Sequence, residues 1–581
     1  MNLSNYFFTE RFGIIQFFKK HSVIFTLLLI LFLSSISFCE QYYITAGNIF
    51  FLLVVLLIAS VILFMLMRCL WGVKSVYCYL TLIFLAVVSL LFVKYLHQVE
   101  RKSIYILIVG IAVLLGVFVS LILSNKLTTQ KFIIILFLFG ILIRFCYVLY
   151  TSCGTRQHDV YGFGRDGHSG YIKYIYENGH LPNFDVTTVD QFYHPPLHHI
   201  ICAIWWKILS SFGIMDIYAQ SSIQTLTLFY SSVCMILTYK ILREFNLKGF
   251  ALIVPFAISV FHPTFIIFAA SINNDILSVT FMLLAILYSI RWYKSRKLKD
   301  IIVIALAVGL DMMTKLSAYM ICFGIAVIFL IALIKDKENF KKYILQFSIF
   351  LIICAPLGLW WNFRNAIGYN VPFLYVQRQG EGANWQYVGN VPTMQRLFDF
   401  SKLFTEPVFD QWVNRAGSTY NEYNPMISLL KTSVFGEYIQ ADYFNNVPII
   451  AEFALFWSNL LIALLSVVAL VYVIVKSIKN KKFDIPLLSL VISFVLMIIF
   501  YYAFCFSYPH HCTENIRYVS PIIILGLVFI GKLLNDLGDK QQNNTFKNAN
   551  TKTVYAAIKY SVAVLAFVFC FCSLTMFIQM A

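Results

Sequence analysis

Long, uninterrupted apolar runs recur along the whole chain. Two of them are VIFTLLLILFLSSISFC at 23–39 and IFFLLVVLLIASVILFMLM at 49–67. A helix needs about 20 apolar residues to cross the hydrocarbon core of a bilayer, and counting such runs predicts about fifteen transmembrane helices. Their approximate positions are 23–39, 48–67, 76–94, 104–124, 132–150, 217–239, 249–268, 276–290, 300–314, 318–334, 343–361, 450–475, 485–506, 518–531 and 560–578. The pattern therefore predicts an all-α polytopic membrane protein.

Composition agrees with this pattern. Hydrophobic residues make up 60% of the 581 residues and charged residues only 12%, which excludes the soluble globular classes. Apolar runs continue far beyond residue 39, so the first run predicts a span rather than a cleaved signal peptide.

The net charge of +17 raises the question of a nucleic-acid partner. The lysines and arginines, however, gather in short polar connections such as RWYKSRKLKD at 291–300, KDKENFKK at 335–342 and KSIKNKK at 476–482. With a cytoplasmic N-terminus, these segments all face the cytoplasm, as the positive-inside rule requires. The charge therefore indicates orientation, and no nucleic-acid partner is predicted.

In this topology the extracytoplasmic side carries two long loops, at 151–216 and 362–449. Short outer connections add SINND at 271–275, TKLS at 314–317 and SYPHHCTENIRY at 507–518. No inner connection is long enough to fold a nucleotide-binding domain, and the chain has no GxxxxGK[ST] phosphate loop. We therefore expect the chemistry at the extracytoplasmic face of the plasma membrane.

Polar residues also suggest three units. We expect residues 1–130 to form an appended module of about four spans, 131–535 the functional core, and 536–581 a cytoplasmic linker with the last span.

The first outer loop has the pattern of two short helices around a polar turn. An apolar stripe predicts an amphipathic helix at 167–178, with Asp166 at its start and Gly179 as its C-cap. Pro195-Pro196 then begins a second helix, whose apolar face suits the membrane interface. The turn between them places Asp159 and Asp166 beside several histidines.

This loop resembles a known family. Its acidic residue, its Gly-x-Leu-Pro at 179–182 and QFYHPPLHH at 191–199 are similar to the GT-C superfamily of integral-membrane glycosyltransferases. The similarity is greatest to the protein O-mannosyltransferase-like group, glycosyltransferase family 39, and its bacterial relatives. FHPTFIIFAASINND at 261–275, TKLS at 314–317, WWNFRN at 360–365 and NIRYVSP at 515–521 extend it over about residues 130–530.

The resemblance implies a GT-C-type helical bundle whose two large outer loops carry interfacial helices. It also implies transfer of a monosaccharide, with inversion, from a polyprenyl-phosphate donor to a hydroxyl of a protein, lipid or glycan acceptor. A first-loop aspartate would be the general base. The family carries Asp-Glu there, whereas this chain has Asp159-Val160 and Asp166-Gly167, so both aspartates remain candidates.

The other candidate residues follow from position. Asp275, between two apolar spans, takes the place of the family's second acidic residue and is the third catalytic candidate. Arg517, Arg364 and Lys315 lie at outer span ends, where positive-inside bias should deplete cations, and are candidates to bind the donor phosphate. The expected pocket residues are His158, His168, Tyr193, His194, Pro195, Pro196, His198, Asn274 and Tyr518.

Some alternatives stay open. A multi-span transporter or flippase, or a surface-glycan polymerase or ligase, would also handle lipid-linked sugars. The histidines could bind a divalent metal, although hydrogen bonding around the pocket is the simpler interpretation, and no metal ligand is assigned. Cys153 and Cys512 both fall in outer segments, so a disulfide between them is another hypothesis.

Overall fold

The computed structural model describes residues 102–151, 153–154, 159–211, 213, 215–377, 386–405, 422–436, 447–481, 483–542 and 549–580. The predicted spans at 23–39, 48–67 and 76–94, with most of the predicted N-terminal module, lie outside these residues, and so does His158. Within the described ranges the chain is helical and has no strand, only an isolated antiparallel bridge between Tyr387 and His510.

The described α-helices are numbered here in chain order. They are α1 (Lys102–Leu123), α2 (Thr129–Tyr150), α3 (Gly167–Asn178), α4 (Leu197–Ser211), α5 (Asp216–Ser221), α6 (Gln224–Glu244), α7 (Phe250–Phe261), α8 (Pro263–Ala270), α9 (Asp275–Ser295), α10 (Leu298–Met312), α11 (Tyr319–Lys335), α12 (Phe340–Tyr369), α13 (Thr393–Phe398), α14 (Lys402–Thr405), α15 (Pro425–Phe435), α16 (Ile449–Lys479), α17 (Ile485–Ser507), α18 (Pro521–Gln542) and α19 (Ala549–Met580).

A helix lies at each predicted span from 104 onward, so the all-α polytopic architecture is confirmed. Among the described helices, nine are long and apolar enough to cross a membrane, or up to ten if the bent pair α7–α8 is one span. Helices α10 and α11 have only 15 and 17 residues, fewer than the roughly 20 that cross a hydrocarbon core. The predicted total of fifteen spans is therefore not confirmed.

The long helices pack into one bundle. Helix α10 lies between α9 and α12, α18 packs on α7 and α16, and α11 packs on α17. Glycines allow close approach at these contacts: a methyl group at Gly526 of α18 would lie 2.7 Å from the Ser466 hydroxyl oxygen of α16. Small residues serve this purpose in membrane bundles because lipid provides little hydrophobic drive for helix association.

Helices α7 and α8 meet at a 42° bend at His262, where Pro263 begins the second helix. The buried Arg144 of α2 lies beside this break. Its guanidinium donates to the Val260 carbonyl oxygen at 2.8 Å and to the Ser231 hydroxyl oxygen at 2.8 Å. A cation at the carboxyl end of a helix is stabilising, so Arg144 supports the bend. Sequence analysis had assigned this arginine no role.

The first outer loop folds as its pattern predicts. Helix α3 has the predicted bounds, Asp166 occupies its N-cap without a side-chain capping bond, and Gly179 ends it with φ of 69°. Helix α4 starts directly after Pro196. The two helices pack together through the rings of Tyr176 and Trp206, stacked with centroids 4.1 Å apart.

Several inter-helix connections meet at one end of the bundle. The Gln224 amide donates to the carbonyl oxygens of Thr151 and Ala270, both at 2.8 Å, and the Asn274 amide donates to the Thr314 carbonyl at 2.7 Å. The Leu197 amide donates to the Met313 carbonyl at 3.0 Å. Residues far apart in sequence are thereby brought to one place.

The hypothesis of a Cys153–Cys512 disulfide is wrong. No disulfide joins the two residues: Cys153 Sγ lies 3.8 Å from the Ser221 hydroxyl oxygen, and Cys512 lines a cavity described below.

Candidate active site

A cavity of about 240 Å³ lies where these connections meet. Its walls come from the first outer loop, the α8–α9 and α10–α11 connections, the ends of α11 and α17, and the α17–α18 connection. Nine of the residues expected at the site line it: Asp159, His168, Tyr193, His194, Asn274, Asp275, Lys315, Arg517 and Tyr518.

An ion pair joins the first outer loop to the α17–α18 connection. Arg517 Nη1 lies 3.0 Å from Asp159 Oδ2, and Arg517 Nη2 donates to the Tyr518 hydroxyl at 2.8 Å. The pair is not fully enclosed, since the side chains of Arg517 and Asp159 are 10% and 17% exposed. The Asp159 backbone is held as well, because its carbonyl accepts the His168 amide at 2.8 Å. Both charged groups therefore lie at the cavity surface in fixed positions.

A second ion pair, between Lys315 and Asp275, is more deeply buried. Asp275 is the first residue of α9, and its amide donates to Asn273 Oδ1 at 3.2 Å. Burial lowers the pKa of Lys315, and the neighbouring Asp275 carboxylate partly opposes that shift. The lysine ammonium also lies 4.9 Å from the centre of the Tyr518 ring, within cation–π distance.

Four histidines pack against one another beside these ion pairs: His168 and His194 line the cavity, and His198 meets His199 edge to face behind them. His168 Nδ1 lies 2.9 Å from His199 Nε2, and the His168 ring also stacks on His194 with centroids 5.0 Å apart. His198 Nε2 is hydrogen-bonded to the Ile272 carbonyl at 2.8 Å. Burial lowers the pKa of His194 to about 3 and of His198 to about 4, so both are neutral at pH 7.

These histidines are engaged with one another and with the backbone. In the described part of the chain, no group of three or more His, Cys, Asp or Glu side chains has an arrangement that could hold a metal ion. The geometry is that of a packed and hydrogen-bonded wall.

Other predicted site residues do not line the cavity. Asp166 is exposed at the N-cap of α3 and does not line the cavity. Arg364 donates to the Pro182 carbonyl and to Asn365 Oδ1, the latter at 2.6 Å, so its guanidinium is used to tie α12 to the first loop. His198 lies behind the cavity wall, as do the buried prolines that start α4, namely Pro195 and Pro196.

The cavity also has residues that sequence analysis missed. Asp190 and Tyr161 add polar groups from the first loop, and an aromatic wall comes from α11 and α17 and the residues after it, with Tyr319, Met320, Tyr501, Phe504, Tyr508 and His510. Asp190 directly precedes QFYHPPLHH, and FYYAFCFSY at 500–508 is a dense aromatic run at a span end. Both were visible signals.

A known family matches part of the chain. Residues 193–360 match the model of the family described as dolichyl-phosphate-mannose-protein mannosyltransferase. The match contains Asp275 and Lys315 but neither Asp159 nor Arg517. It confirms, over these residues, the resemblance seen in the sequence, and the helices confirm the all-α polytopic class. No curated protein is similar enough in sequence to count as a match.

Solved structures resemble the chain only loosely. The Archaeoglobus fulgidus oligosaccharyltransferase tethered to an acceptor peptide is 12% identical, with 77% of this chain and 55% of that chain covered and a TM-score of 0.46. The same organism's AglB, in complex with an inhibitory peptide and a dolichol-phosphate, is 12% identical, with 77% and 56% covered and a TM-score of 0.44. Apo ArnT from Cupriavidus metallidurans is 13% identical, with 77% and 76% covered and a TM-score of 0.39.

The chain thus spans about 55% of the length of the archaeal oligosaccharyltransferases. At these scores the activities of the three proteins are not carried over, and function is inferred from the cavity.

Proposed function

We propose that the chain is a membrane glycosyltransferase that moves a monosaccharide from a polyprenyl-phosphate donor to an acceptor hydroxyl at the extracytoplasmic face. One observation carries this proposal. Asp159, Asp275, Lys315 and Arg517 come from four distant segments and surround a single cavity that borders an aromatic wall. Burying charged groups in a membrane protein is costly. A set of them around a cavity therefore indicates a functional site.

The donor phosphate would lie between Arg517 and Lys315. Both cations lie close to Tyr518, with Arg517 4.8 Å and Lys315 4.9 Å from its ring centre. Arginine forks and lysine ammonium groups bind phosphate oxygens and offset the charge that develops on a phosphate leaving group.

The polyprenyl chain would lie along α11 and α17. Tyr319 of α11 lines the cavity yet is 38% exposed, and Phe323, one turn further along, is 46% exposed. Tyr319 packs on Phe500 of α17 with ring centroids 5.4 Å apart. An apolar surface that runs from the cavity to the outside of the bundle suits a lipid that enters from the bilayer.

Asp159 would be the general base. It would take the proton of the acceptor hydroxyl as that oxygen forms a bond to the anomeric carbon. The bond between the anomeric carbon and the phosphate oxygen breaks at the same time, and its electron pair leaves with the polyprenyl phosphate. One such displacement inverts the anomeric centre and needs no glycosyl-enzyme. Asp275 would act by orienting Lys315.

Donor binding and base activation would be linked through Arg517. A phosphate bound to this guanidinium competes with the Asp159 carboxylate for the same donors. Binding of the donor would therefore weaken the ion pair and leave Asp159 better able to accept a proton.

The decisive experiment places the full-length protein in liposomes with radiolabelled polyprenyl-phosphate mannose and membrane-derived acceptors. A transferase consumes the donor and leaves polyprenyl phosphate and a labelled acceptor. A flippase or transporter would return intact donor on the other leaflet. The wild-type protein is assayed with mannose, glucose and galactose donors. If the donor stays intact in every one of these assays, the proposal is contradicted.

A further inference from the structure

Three carboxylates line the cavity, and their surroundings differ. Asp159 is paired with Arg517 and Asp275 with Lys315. Asp190 takes part in none of the ion pairs formed within the described ranges. Its carboxylate accepts from the Gln191 side-chain amide at 3.5 Å, and Tyr161 also lines the cavity, where its hydroxyl opposes the rise in the pKa of Asp190. Among the described residues, Asp190 is therefore the one cavity carboxylate without an ion-pair partner.

The residues around Asp190 hold it in place. Its carbonyl accepts the Gly167 amide at 3.1 Å, so it is tied to the start of α3. Tyr161 lies in a turn where Asp159, Tyr161 and Phe163 all have φ between 52° and 59°. Side chains rarely adopt this left-handed region, and such strain persists only where surrounding contacts impose it.

Hydrogen bonds to Ser169 of α3 impose this backbone conformation. The Ser169 hydroxyl accepts the Phe163 amide at 2.8 Å and donates to the Val160 carbonyl. The turn is thereby fixed so that the Tyr161 side chain lines the cavity while remaining 58% exposed. The exposed Tyr161 ring is thus held at the cavity by a backbone conformation that is itself unfavourable.

The cations adjoin the aromatic residues of the cavity wall. Tyr518, which contacts both Arg517 and Lys315, packs on Phe504 of α17 with centroids 4.8 Å apart. Asp190 and Tyr161 instead belong to the first loop, after and before α3 in the sequence. Asp159 lies at the junction, bonded to Arg517 and close enough to Asp190 for their charges to interact.

We propose that Asp190 and Tyr161 form the acceptor subsite of the cavity, which takes a hydroxyl-bearing acceptor without negative charge near its reacting hydroxyl. The inference rests on the proposed function and deepens it. Asp190 accepts a hydrogen bond from a hydroxyl next to the attacking one, and the Tyr161 ring packs on the carbon skeleton of the acceptor. The bond changes are those of the proposed reaction, and the reacting proton still goes to Asp159.

Electrostatics supports this division of the cavity. Burial, together with the Asp159 charge, raises the pKa of Asp190, which means that the carboxylate lacks the stabilisation water would provide. Hydroxyl donors restore that stabilisation. A phosphate-bearing acceptor would instead meet the like charge of Asp190, whereas the donor phosphate is accommodated by the two cations.

The test separates acceptor use from donor use. Full-length protein and its variants are assayed with radiolabelled undecaprenyl-phosphate mannose in native membranes, and label in acceptors and free mannose from hydrolysis are measured together. Asp190→Asn should lower transfer about ten- to a hundredfold, because one hydrogen bond to a charged group is lost. Hydrolysis, in which water replaces the acceptor, and binding of undecaprenyl phosphate should stay within about twofold of wild type.

Glu177→Gln is the matched control. It also removes one carboxylate from the first outer loop, but Glu177 of α3 is exposed, lies 3.8 Å from Lys173 and does not line the cavity. Tyr161→Ala keeps the test valid should Asp190→Asn fail to fold, because this exposed side chain contributes little to the core. It should lower transfer and spare hydrolysis in the same way.

The outcomes are distinct. Equal loss of transfer and hydrolysis in Asp190→Asn would overturn the acceptor assignment, and so would unchanged transfer in Asp190→Asn and Tyr161→Ala. A wild-type protein that releases no sugar from any polyprenyl-phosphate donor would instead contradict the proposed function itself.

Discussion

Two buried groups of charges occupy neighbouring parts of the molecule. The first is the pair of ion pairs at the cavity. The second contains Arg396 and Glu514, 2.8 Å apart, with Lys431 and Glu422 3.3 Å apart nearby. Both groups are buried and paired, yet none of the four residues of the second group lines the cavity. Both groups of charges are therefore paired and largely buried. Only the group at the candidate site contacts the cavity.

The second group supports the first. Arg396 of α13 also donates to the Cys505 carbonyl at 3.0 Å, and the Ser428 hydroxyl of α15 donates to Glu514 at 3.1 Å. Glu514 lies three residues before Arg517. The charges thus hold the α17–α18 connection against α13 and α15, and this fixes the position of the cavity arginine. We expect the two groups to respond differently to the same kind of substitution.

The largest expected effect is on chemistry. Asp159→Asn should lower sugar transfer about 10²- to 10⁴-fold, because a general base contributes in this range. The folded fraction in detergent should remain close to wild type, since the amide can still accept from Arg517.

Asp166→Asn is the matched substitution for this test, because that aspartate is exposed and outside the cavity lining. It should retain most of the activity. Full activity in both variants, or a larger loss in Asp166→Asn, would show that Asp159 is not the base.

The second expected effect is on stability. Arg396→Met leaves Glu514 buried without its cation, which should cost about 3–5 kcal/mol of folding free energy. Thermal unfolding of the detergent-solubilised protein measures this. The double variant Arg396→Met, Glu514→Gln removes both charges and should recover part of the loss. No recovery in the double variant would contradict a role as a paired structural group.

The third expected effect is on donor binding. Arg517→Ala should weaken binding of undecaprenyl phosphate about ten- to a hundredfold, as expected for the loss of hydrogen bonds to a charged group. Arg364→Ala serves as the control, because Arg364 donates to the Pro182 carbonyl and does not line the cavity. Binding that falls equally in both variants, in parallel with loss of folded protein, would indicate a structural effect.

The smallest expected effect is on pH dependence. Burial holds the pKa of His194 at about 3 and of His198 at about 4, below the ordinary value of 6.5. The unfolded chain therefore binds more protons below pH 6.5, and stability present above that pH is lost as the pH falls. At pH 5 each histidine should cost about 2 kcal/mol.

The measurement is the unfolding temperature between pH 7.5 and pH 5. His198→Gln should lower stability at pH 7.5 but flatten its decline toward pH 5. A decline as steep as in wild type would show that this histidine is not the group that titrates.

Local features of the candidate site could be predicted from particular residues. The apolar stripe at 167–178, Gly179 and Pro196 predicted α3 and the start of α4, because capping and periodicity act over a few residues. Asp166 and Arg364 were predicted to be site residues from similarly local features. Neither of them lines the cavity. Asp190, next to the HPPL stretch, was visible in the sequence but had nothing local to mark it as different from a solvated aspartate.

The sequence by itself determined the membrane architecture, since burying apolar helices in lipid depends on composition and run length, and it indicated the family resemblance through short motifs. Only the tertiary structure decided which charges meet. Asp159 and Arg517 are separated by 358 residues, and Asp275 and Lys315 by 40. Whether a carboxylate is paired, exposed or left beside open space depends on where distant helix ends converge, and no local pattern carries that information.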